Sequence, residues 1–450
     1  MNRTTLHAPK AGNAIEWPDL PVAQQIPWPQ ADELAEVTEV LAGLPALAKP
    51  SESDRLTQRL AAAQRGEAFV LTAGDCAETF EANTADSVRA RLRTLLQMAV
   101  ILTYGASLPV VKIGRMAGQY FKPRSKPLEV KEGLELTSYF GDAVNSLPFE
   151  AAARRPDPQR LLDVYRASSA TLNLIRSFSQ DGSADLRQIH TWNQDFVRQS
   201  PAGQRYEEMA IGIDRALAFM HACGADPQEF RSVEIFVGHE ALSLDYERAM
   251  IRPDQDGALY GSSGHFLWVG ERTRQLDGAH VDLARRLLNP IGVKIGPGAD
   301  PDEVAELVEA LDPNQIPGRL TLISRMGADS VDKALPPIVE RVTQQRRPVV
   351  WVCDPMHGNT RTAASGHKTR SFDDVIREVK GFFSVHRSLG THPGGIHIEL
   401  TGDDVTECVG GTQGVEETNL GQRYETACDP RLNREQSLEL AFLVSRMLTE

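Results

Sequence analysis

The chain has 450 residues, 41% of them hydrophobic and 24% charged, so it can bury a large core in one to three domains. Its formal net charge of -13 opposes a general affinity for nucleic acid or for anionic membranes. No stretch approaches the roughly 20 apolar residues that span a bilayer, and five irregularly spaced cysteines form no CxxC pair, so a cytoplasmic protein without a disulfide framework or zinc ribbon is expected.

Residues 1–66 read as an extension. Pro9, Pro18, Pro21, Pro27 and Pro29 keep the first thirty residues from regular helix. Two helices follow, the second announced by Ser51 as N-cap with Asp54 in a capping box. From 67 to 450, β-branched runs alternate with helical stripes. The runs are FVLTAGDC, PVVKIGR, VEIFVGHE, FLWVGER, IGVKIGP, LTLISRMG, PVVWVCDPMH and GIHIELTG. After the first, Val88, Leu92, Leu95, Leu96, Ala99 and Leu102 recur at steps of three and four, ending near Gly105. Similar helices are expected over Thr273–Leu288, Pro301–Leu311, Ser330–Arg341, Phe372–Leu389 and Asn433–Leu448, the last capped by Asn433 with Gln436 at the third helical position. The alternation breaks once, between Arg115 and Val233. There LLDVYRASSATLNLIRSF and YEEMAIGIDRALAFMHA have helical periodicity, which predicts a helical insertion over about 145–230 on the loop after strand 2. The fold class expected is α/β, a (β/α)8 TIM barrel with an N-terminal extension and this insertion.

Nearly every run ends in a residue able to hold a metal or an anion, and a barrel assembles its active site from such strand ends. Cys76, His357, Glu399 and Asp429, in the loop after the eighth run, supply one sulfur, one nitrogen and two carboxylate donors. That mixture suits a borderline divalent ion such as Mn, Co, Fe or Zn better than a structural zinc site; the plainer alternative is a buried thiol with capping acids. Arg115, Arg272, Lys294 and Arg325 stand at four strand ends, and Lys122 lies one short loop from the first. Converging cations form a trap for phosphate and carboxylate, so a polyanionic small substrate is expected. Arg124 and Ser125, in the segment KPRS, add a second anion site, which implies two phosphorylated substrates or one bisphosphate. His190, His221, His265, His280 and His386 read as packed or exposed histidines. His392 and His397 flank the last run at alternating positions and receive no role, and strand three, ending in His239 and Glu240, is left without one. GxGxxG, Walker A, GxSxG and HExxH motifs are absent, which disfavours nucleotide and serine-hydrolase chemistry.

The blocks GDCAETF, KIGRMAGQYFKPRS, GHEALSLDYE, WVGERTRQLDGAH, GVKIGP, GRLTLISRMG, DPMHGNT, HKTR, THPGGIHIE and RYETACDPRLN resemble the class II (plant-like) 3-deoxy-D-arabino-heptulosonate 7-phosphate (DAHP) synthases, long subgroup, across nearly all of the chain from Gly66 onward. The resemblance implies condensation of phosphoenolpyruvate with erythrose 4-phosphate and release of phosphate. It implies a divalent metal, Mn or Co with Fe, Zn or Cd as alternatives, held by Cys76, His357, Glu399 and Asp429. It places phosphoenolpyruvate on Arg115, Lys122, Glu271 (through its backbone), Arg272, Lys294 and Arg325, and the phosphate of erythrose 4-phosphate on Arg124 and Ser125. Lys122, Arg115 and His357 are its catalytic candidates: Lys122 donates to substrate oxygens, and His357 with neighbouring acids carries the proton of the incoming water. The subgroup further implies a homo-oligomer, dimer or tetramer, with aromatic amino acid effectors and chorismate mutase as a candidate partner. Thr72, Ala73 and Gly238 depart from the family's usual residues, all outside the ligand set. Two other readings are a related ulosonate phosphate synthase or metal-dependent aldolase, and a non-catalytic sensor of aromatic metabolites.

Overall fold

A computed structural model describes residues 19–131, 133–180, 186–199, 207–223 and 233–449. Eight parallel strands close into a barrel: β1 (Phe69–Gly74), β2 (Val110–Arg115), β3 (Phe236–Glu240), β4 (Phe266–Val269), β5 (Ile291–Ile295), β6 (Leu320–Ser324), β7 (Val350–Cys353) and β8 (Gly395–Glu399). Each strand pairs with its neighbours in the chain, and β8 closes on β1. All eight come from the β-branched runs, which are nearly continuous in apolar residues because both faces of a parallel sheet are covered.

Side chains alternate across each strand. Leu71, Ala73, Leu267, Val269, Val293, Leu322 and Ile398 belong to the outer core beneath the ring of helices. Val70, Ile113, Phe236, Phe266, Trp268, Ile323 and Val352 belong to an inner core, which also contains Leu56, Leu60 and Ala63. Those three lie on the second helix of the extension. The helices are α1 (Ala31–Gly43), α2 (Pro50–Gln64), α3 (Ala85–Ala106), α4 (Arg160–Gln180), α5 (Leu186–Gln199), α6 (Glu207–Ala222), α7 (Leu244–Ala249), α8 (Ala279–Arg286), α9 (Pro301–Leu311), α10 (Val331–Gln344), α11 (Phe372–Ser388) and α12 (Arg434–Thr449), besides the single turn Ala151–Arg154. Gln64 accepts from the amide of Gly318, just ahead of β6, and Arg59 pairs with Glu234, just ahead of β3. α2 therefore plugs the N-terminal end of the barrel, and the other end is left to the site.

The segment after β2 holds a hairpin of Leu128–Lys131 with Leu134–Thr137, then α4, α5 and α6. The hairpin and α5 were not anticipated: four-residue strands carry weak periodicity, and α5, though its apolar residues gather on one face, is polar on average. The insertion folds back onto the barrel: Gln97 of α3 bonds Asn193 of α5, and Phe196 stacks on Phe442 of α12. Residues 181–185, 200–206 and 224–230 of the expected insertion, residues 231 and 232 after it, and Pro9 and Pro18, lie outside the described residues.

Two helix boundaries differ from expectation. Ser51 is not the N-cap of α2; Lys49 is, its amide donating to Glu52 at 2.9 Å, because Pro50 fits the first helical position, where its missing N–H costs nothing. The expected helix over Thr273–Leu288 begins only at Ala279, after Gly278. Arg274 is turned back onto Glu271 and Glu303, and the Thr273 amide onto the carbonyl of Gly270. By contrast, Asn433 caps α12 as expected, with reciprocal bonds to Gln436.

Glu52 ties α2 to two other elements, receiving His265 at 3.3 Å and Arg176 of α4 at 3.2 Å. Burial raises its pKa, but the His265 hydrogen bond and charge, the Lys49 amide and Arg176 outweigh this and hold it at about 2. A carboxyl depressed on folding stabilises the fold above its unfolded pKa, and that contribution is lost as pH falls through the folded one. Glu52→Gln is therefore expected to lower the melting temperature at pH 7, with the gap to the parent narrowing between about pH 4.5 and 2. A gap independent of pH, followed by scanning calorimetry, would refute the ion-pair account.

Candidate active site

A cavity of about 720 Å³ opens at the C-terminal ends of the strands. Cys76, Arg115, Lys122, Arg124, Ser125, Glu271, Arg272, Lys294, Arg325, His357 and Asp429 all line it, so eleven of the expected residues are brought together. Glu399 lies beneath, fully buried.

The loop from Arg115 to Lys122 is shaped from two sides. The Glu78 carboxylate accepts the amides of Ala117, Gly118 and Gln119 at 2.9–3.1 Å. From β3, the His239 ring lies so close to Gly118 that a Cβ there would stand 2.3 Å from its Nδ1. His239 itself is held at 2.8 Å by Glu247, which also accepts from Ser263. These contacts give His239 a structural job: it packs the loop that delivers two of the cations.

Arg115 is the deepest cation. It donates to the carbonyls of Asp75 and Cys76 and to Glu399 at 3.0 Å, reaches His397 Nε2 at 2.5 Å, and lies over the Trp268 ring. Lys294 reaches Asp354 at 2.7 Å. Burial lowers the pKa of Lys294, with Asp354 opposing. Arg325 donates to the carbonyl of His357, and Arg272 reaches the Ser125 hydroxyl at 3.3 Å. Arg124 pairs with Glu129 of the hairpin at 2.5 Å. Glu271 lines the cavity, and its carboxylate accepts the Gly296 amide at 2.6 Å and pairs with Arg274.

The four S, N and O donors form two pairs. Cys76 Sγ accepts the Asp429 amide at 3.3 Å, and Lys122 Nζ bridges the pair, 3.0 Å from Sγ and 2.7 Å from Asp429 Oδ2. His357 Nε2 lies 3.1 Å from Glu399. Among the described residues, no three His, Cys, Asp or Glu side chains stand close enough together to hold a metal ion in this arrangement. The donor chemistry nevertheless fits a cation in two respects. An ammonium already sits between Cys76 and Asp429. His357 Nδ1 is held by Asp354 at 2.8 Å, the carboxylate–histidine support that leaves Nε2 as the donor. Burial works to raise the pKa values of Asp354 and Glu399; for Asp354 the charges of His357 and Lys294 win, for Glu399 those of His357, Arg370 and Arg115, and both stay well below the usual carboxylate range. Burial, with Glu399, pushes the Cys76 thiol up. With both ring nitrogens of His357 engaged, the structure gives it no free nitrogen for the proton of an incoming water.

Four neighbours of the site were not singled out from the sequence. His397, given no role, shares the inner face with Glu399 two residues on, and supports Arg115; its i, i+2 spacing carried that signal. Arg370, fully buried, donates to Glu399 at 2.7 Å and also to the carbonyl of Pro430. Arg431 bridges Asp75 and Glu407, joining the Cys76 loop to the Asp429 loop. Lys368 reaches Asp429 at 2.8 Å from the wall of the cavity. Three more histidines are packed: His265 accepts the Val237 amide, His280 bonds the carbonyl of Leu242, and His386 bonds Thr391; His392 is exposed, and the side chains of His190 and His221 lie outside the described residues.

Residues 13–445 match the model of the Class-II DAHP synthetase family. The chain is 59% identical over 441 residues to the Phospho-2-dehydro-3-deoxyheptonate aldolase of Streptomyces coelicolor, covering 98% of each chain. It is 54% identical to Phospho-2-dehydro-3-deoxyheptonate aldolase AroG of Mycolicibacterium smegmatis, covering 96% of this chain and 93% of the relative. A solved structure of Phospho-2-dehydro-3-deoxyheptonate aldolase from Francisella tularensis SCHU S4 is a distant likeness, 14% identical with a TM-score of 0.49 over 92% of this chain and 96% of that one.

Glu78→Ala would leave three loop amides without their acceptor, each worth about 1–3 kcal/mol if it stays unsatisfied. Calorimetry is expected to show a melting temperature several degrees below the parent, with Glu78→Gln between them; parent-like melting of Glu78→Ala would show that the loop does not depend on this carboxylate.

Proposed function

The chain belongs to the class II DAHP synthetase family, and from that membership we infer that it condenses phosphoenolpyruvate with D-erythrose 4-phosphate and water, giving DAHP and phosphate. It is a transferase of the first step of the shikimate pathway, toward aromatic compounds. The observation that carries the reading to this site is the grouping of Arg115, Lys122, Arg124, Arg272, Lys294 and Arg325 around one cavity beside sulfur, nitrogen and carboxylate donors.

Phosphoenolpyruvate is held by Arg115, Lys122, Arg272, Lys294, Arg325 and the backbone of Glu271. Arg124 and Ser125, further out, take the phosphate of erythrose 4-phosphate. C3 of the enol ester then attacks the aldehyde carbon, water adds at C2, and phosphate leaves by C–O cleavage. Lys122 donates to substrate oxygens, and the guanidinium groups hold the two anions in reacting order, a proximity effect. Cys76, His357, Glu399 and Asp429 would hold a divalent ion, Mn or Co, which when bound polarises the aldehyde oxygen. No helix among the described residues is long and apolar enough to cross a membrane, and a cytoplasmic location fits. Ile211 and Phe219 stand exposed on α6, which supports a contact role for the insertion in a homo-oligomer, for aromatic amino acid effectors or for a chorismate mutase partner.

Loss of the ultraviolet absorbance of phosphoenolpyruvate, on adding erythrose 4-phosphate to chelator-treated protein with Mn or Co restored, tests the reading. Consumption without metal dependence, or with arabinose 5-phosphate in place of erythrose 4-phosphate, would overturn it. The division of roles has its own test. Cys76→Ser is expected to lose metal on dialysis, while Arg325→Ala keeps it and raises the KM for phosphoenolpyruvate roughly ten- to hundredfold, the weight of one charge-assisted hydrogen bond. Identical behaviour of the two variants would contradict the division.

A further inference from the structure

Glu378 of α11 lies outside the cavity lining and is fully buried, and among the described residues no cation stands within ion-pair distance of it. A carboxylate taken out of water without a counter-ion is costly. Burial, with Asp354, pushes the Glu378 carboxyl up to about 8, although the amides of Gly327 and Met326 and the side chain of Asn359 oppose this. For an acid, a folded pKa above the unfolded one means that the group subtracts from stability between the two values. Its bonds point to a role other than stability.

The two oxygens are divided between two loops. Oε1 accepts the amide of Met326, the residue after Arg325, at 2.7 Å. Oε2 accepts the side-chain amide of Asn359, two residues after His357, also at 2.7 Å. Asn359 extends the clasp: the same nitrogen donates to the carbonyl of Pro355, and its oxygen accepts the Ala328 amide at 2.9 Å. The two loops also touch directly, since a Cβ on Gly358 would run into the Gly327 amide. At the cavity, Arg325 donates to the His357 carbonyl at 3.1 Å. The loops after β6 and β7 thus meet along one seam, with Arg325 and His357 at its cavity end and Glu378 buried behind it.

Resting on the synthase reading, we propose that Glu378 is a positioning residue that fixes Arg325 relative to His357, so that one buried carboxylate places both a phosphoenolpyruvate cation and a metal donor. It touches neither group itself and acts through Met326 and Asn359. The residue type fits the task. Both loops present N–H donors, and only a carboxylate offers an acceptor oxygen to each; a glutamine of the same size offers one oxygen and an NH2 that would face a second donor. A displacement of about 1 Å in a substrate-positioning group is enough to cost about a hundredfold in rate. The loop after β2, which leads to Arg124 and Ser125, is held by a different acid, Glu78. Binding of the second phosphate is therefore independent of Glu378.

The test compares parent, Glu378→Gln and Arg377→Ala. Arg377, the preceding residue of α11, pairs with Asp329 beyond the same loop, but at the surface, and serves as control. Circular dichroism, Mn retained on dialysis, phosphoenolpyruvate affinity by calorimetry and the KM for each substrate are measured on all three. Glu378→Gln is expected to weaken phosphoenolpyruvate binding roughly tenfold or more, the weight of one hydrogen bond to a charged group, and to lose Mn on dialysis. Its KM for erythrose 4-phosphate should stay within about threefold of the parent, and Arg377→Ala should match the parent throughout. A merely structural role would lower the melting temperature without moving either affinity. Parent-like phosphoenolpyruvate binding or parent-like Mn retention in Glu378→Gln, an equal rise in the KM for erythrose 4-phosphate, or the same losses in Arg377→Ala, overturns the proposal. If Glu378→Gln does not fold, Glu378→Asp, whose shorter side chain reaches one loop at a time, decides by the same criteria. A parent that fails to consume both substrates would sink the synthase reading instead, with dialysis and calorimetry still deciding the role of Glu378.

Discussion

The structure of the site depends on one buried cation, the guanidinium of Arg115. A charge taken out of water must be paired and hydrogen-bonded, and Arg115 of β2 meets that demand with groups from two other elements: the carbonyls after β1, and Glu399 and His397 of β8. Removing one partner of such a pair costs about 3–5 kcal/mol, against about 0–1 kcal/mol for an exposed pair. That difference singles out Arg115–Glu399 over surface bridges such as Arg65–Glu67 as the constraint on the barrel mouth.

The same pairing reaches outward. Glu399 also receives Arg370, which bonds the carbonyl of Pro430, next to Asp429. Asp75, beside Cys76, is held by Arg91 and Arg431. The loops after β1 and β8 are thus fixed in part by charges one residue away from Cys76 and Asp429, while those two groups share the ammonium of Lys122. The cations facing the cavity are poised differently. Lys294 and Arg124 rest on internal acids, Asp354 and Glu129, so entering phosphates compete with contacts already made. Preorganisation of this kind spends binding energy on order and leaves the site ready for anions before they arrive.

The barrel was legible because each strand is a short β-branched run, and the parallel arrangement followed from alternation with helical stripes. The donors and cations were legible because barrel chemistry stands at strand ends. Boundaries set by capping were less so: Lys49 is an unlikely-looking cap until Pro50 and Glu52 are seen to work with it. The start of α8 depended on Arg274 finding Glu303 in the next βα unit, a contact no local pattern encodes.

Periodicity, residue type and the dense family blocks determined by themselves the architecture, the family and the end of the barrel at which the cavity opens, because those properties are local or repeated along the chain. Tertiary structure alone decided how the groups are shared out. It set His397 against Arg115, engaged both nitrogens of His357, and turned His239 outward to Glu247 and the loop it packs. Pairing between charges from distant segments is settled by three-dimensional distance and by the cost of burying any charge unmatched, and neither can be read along a single chain.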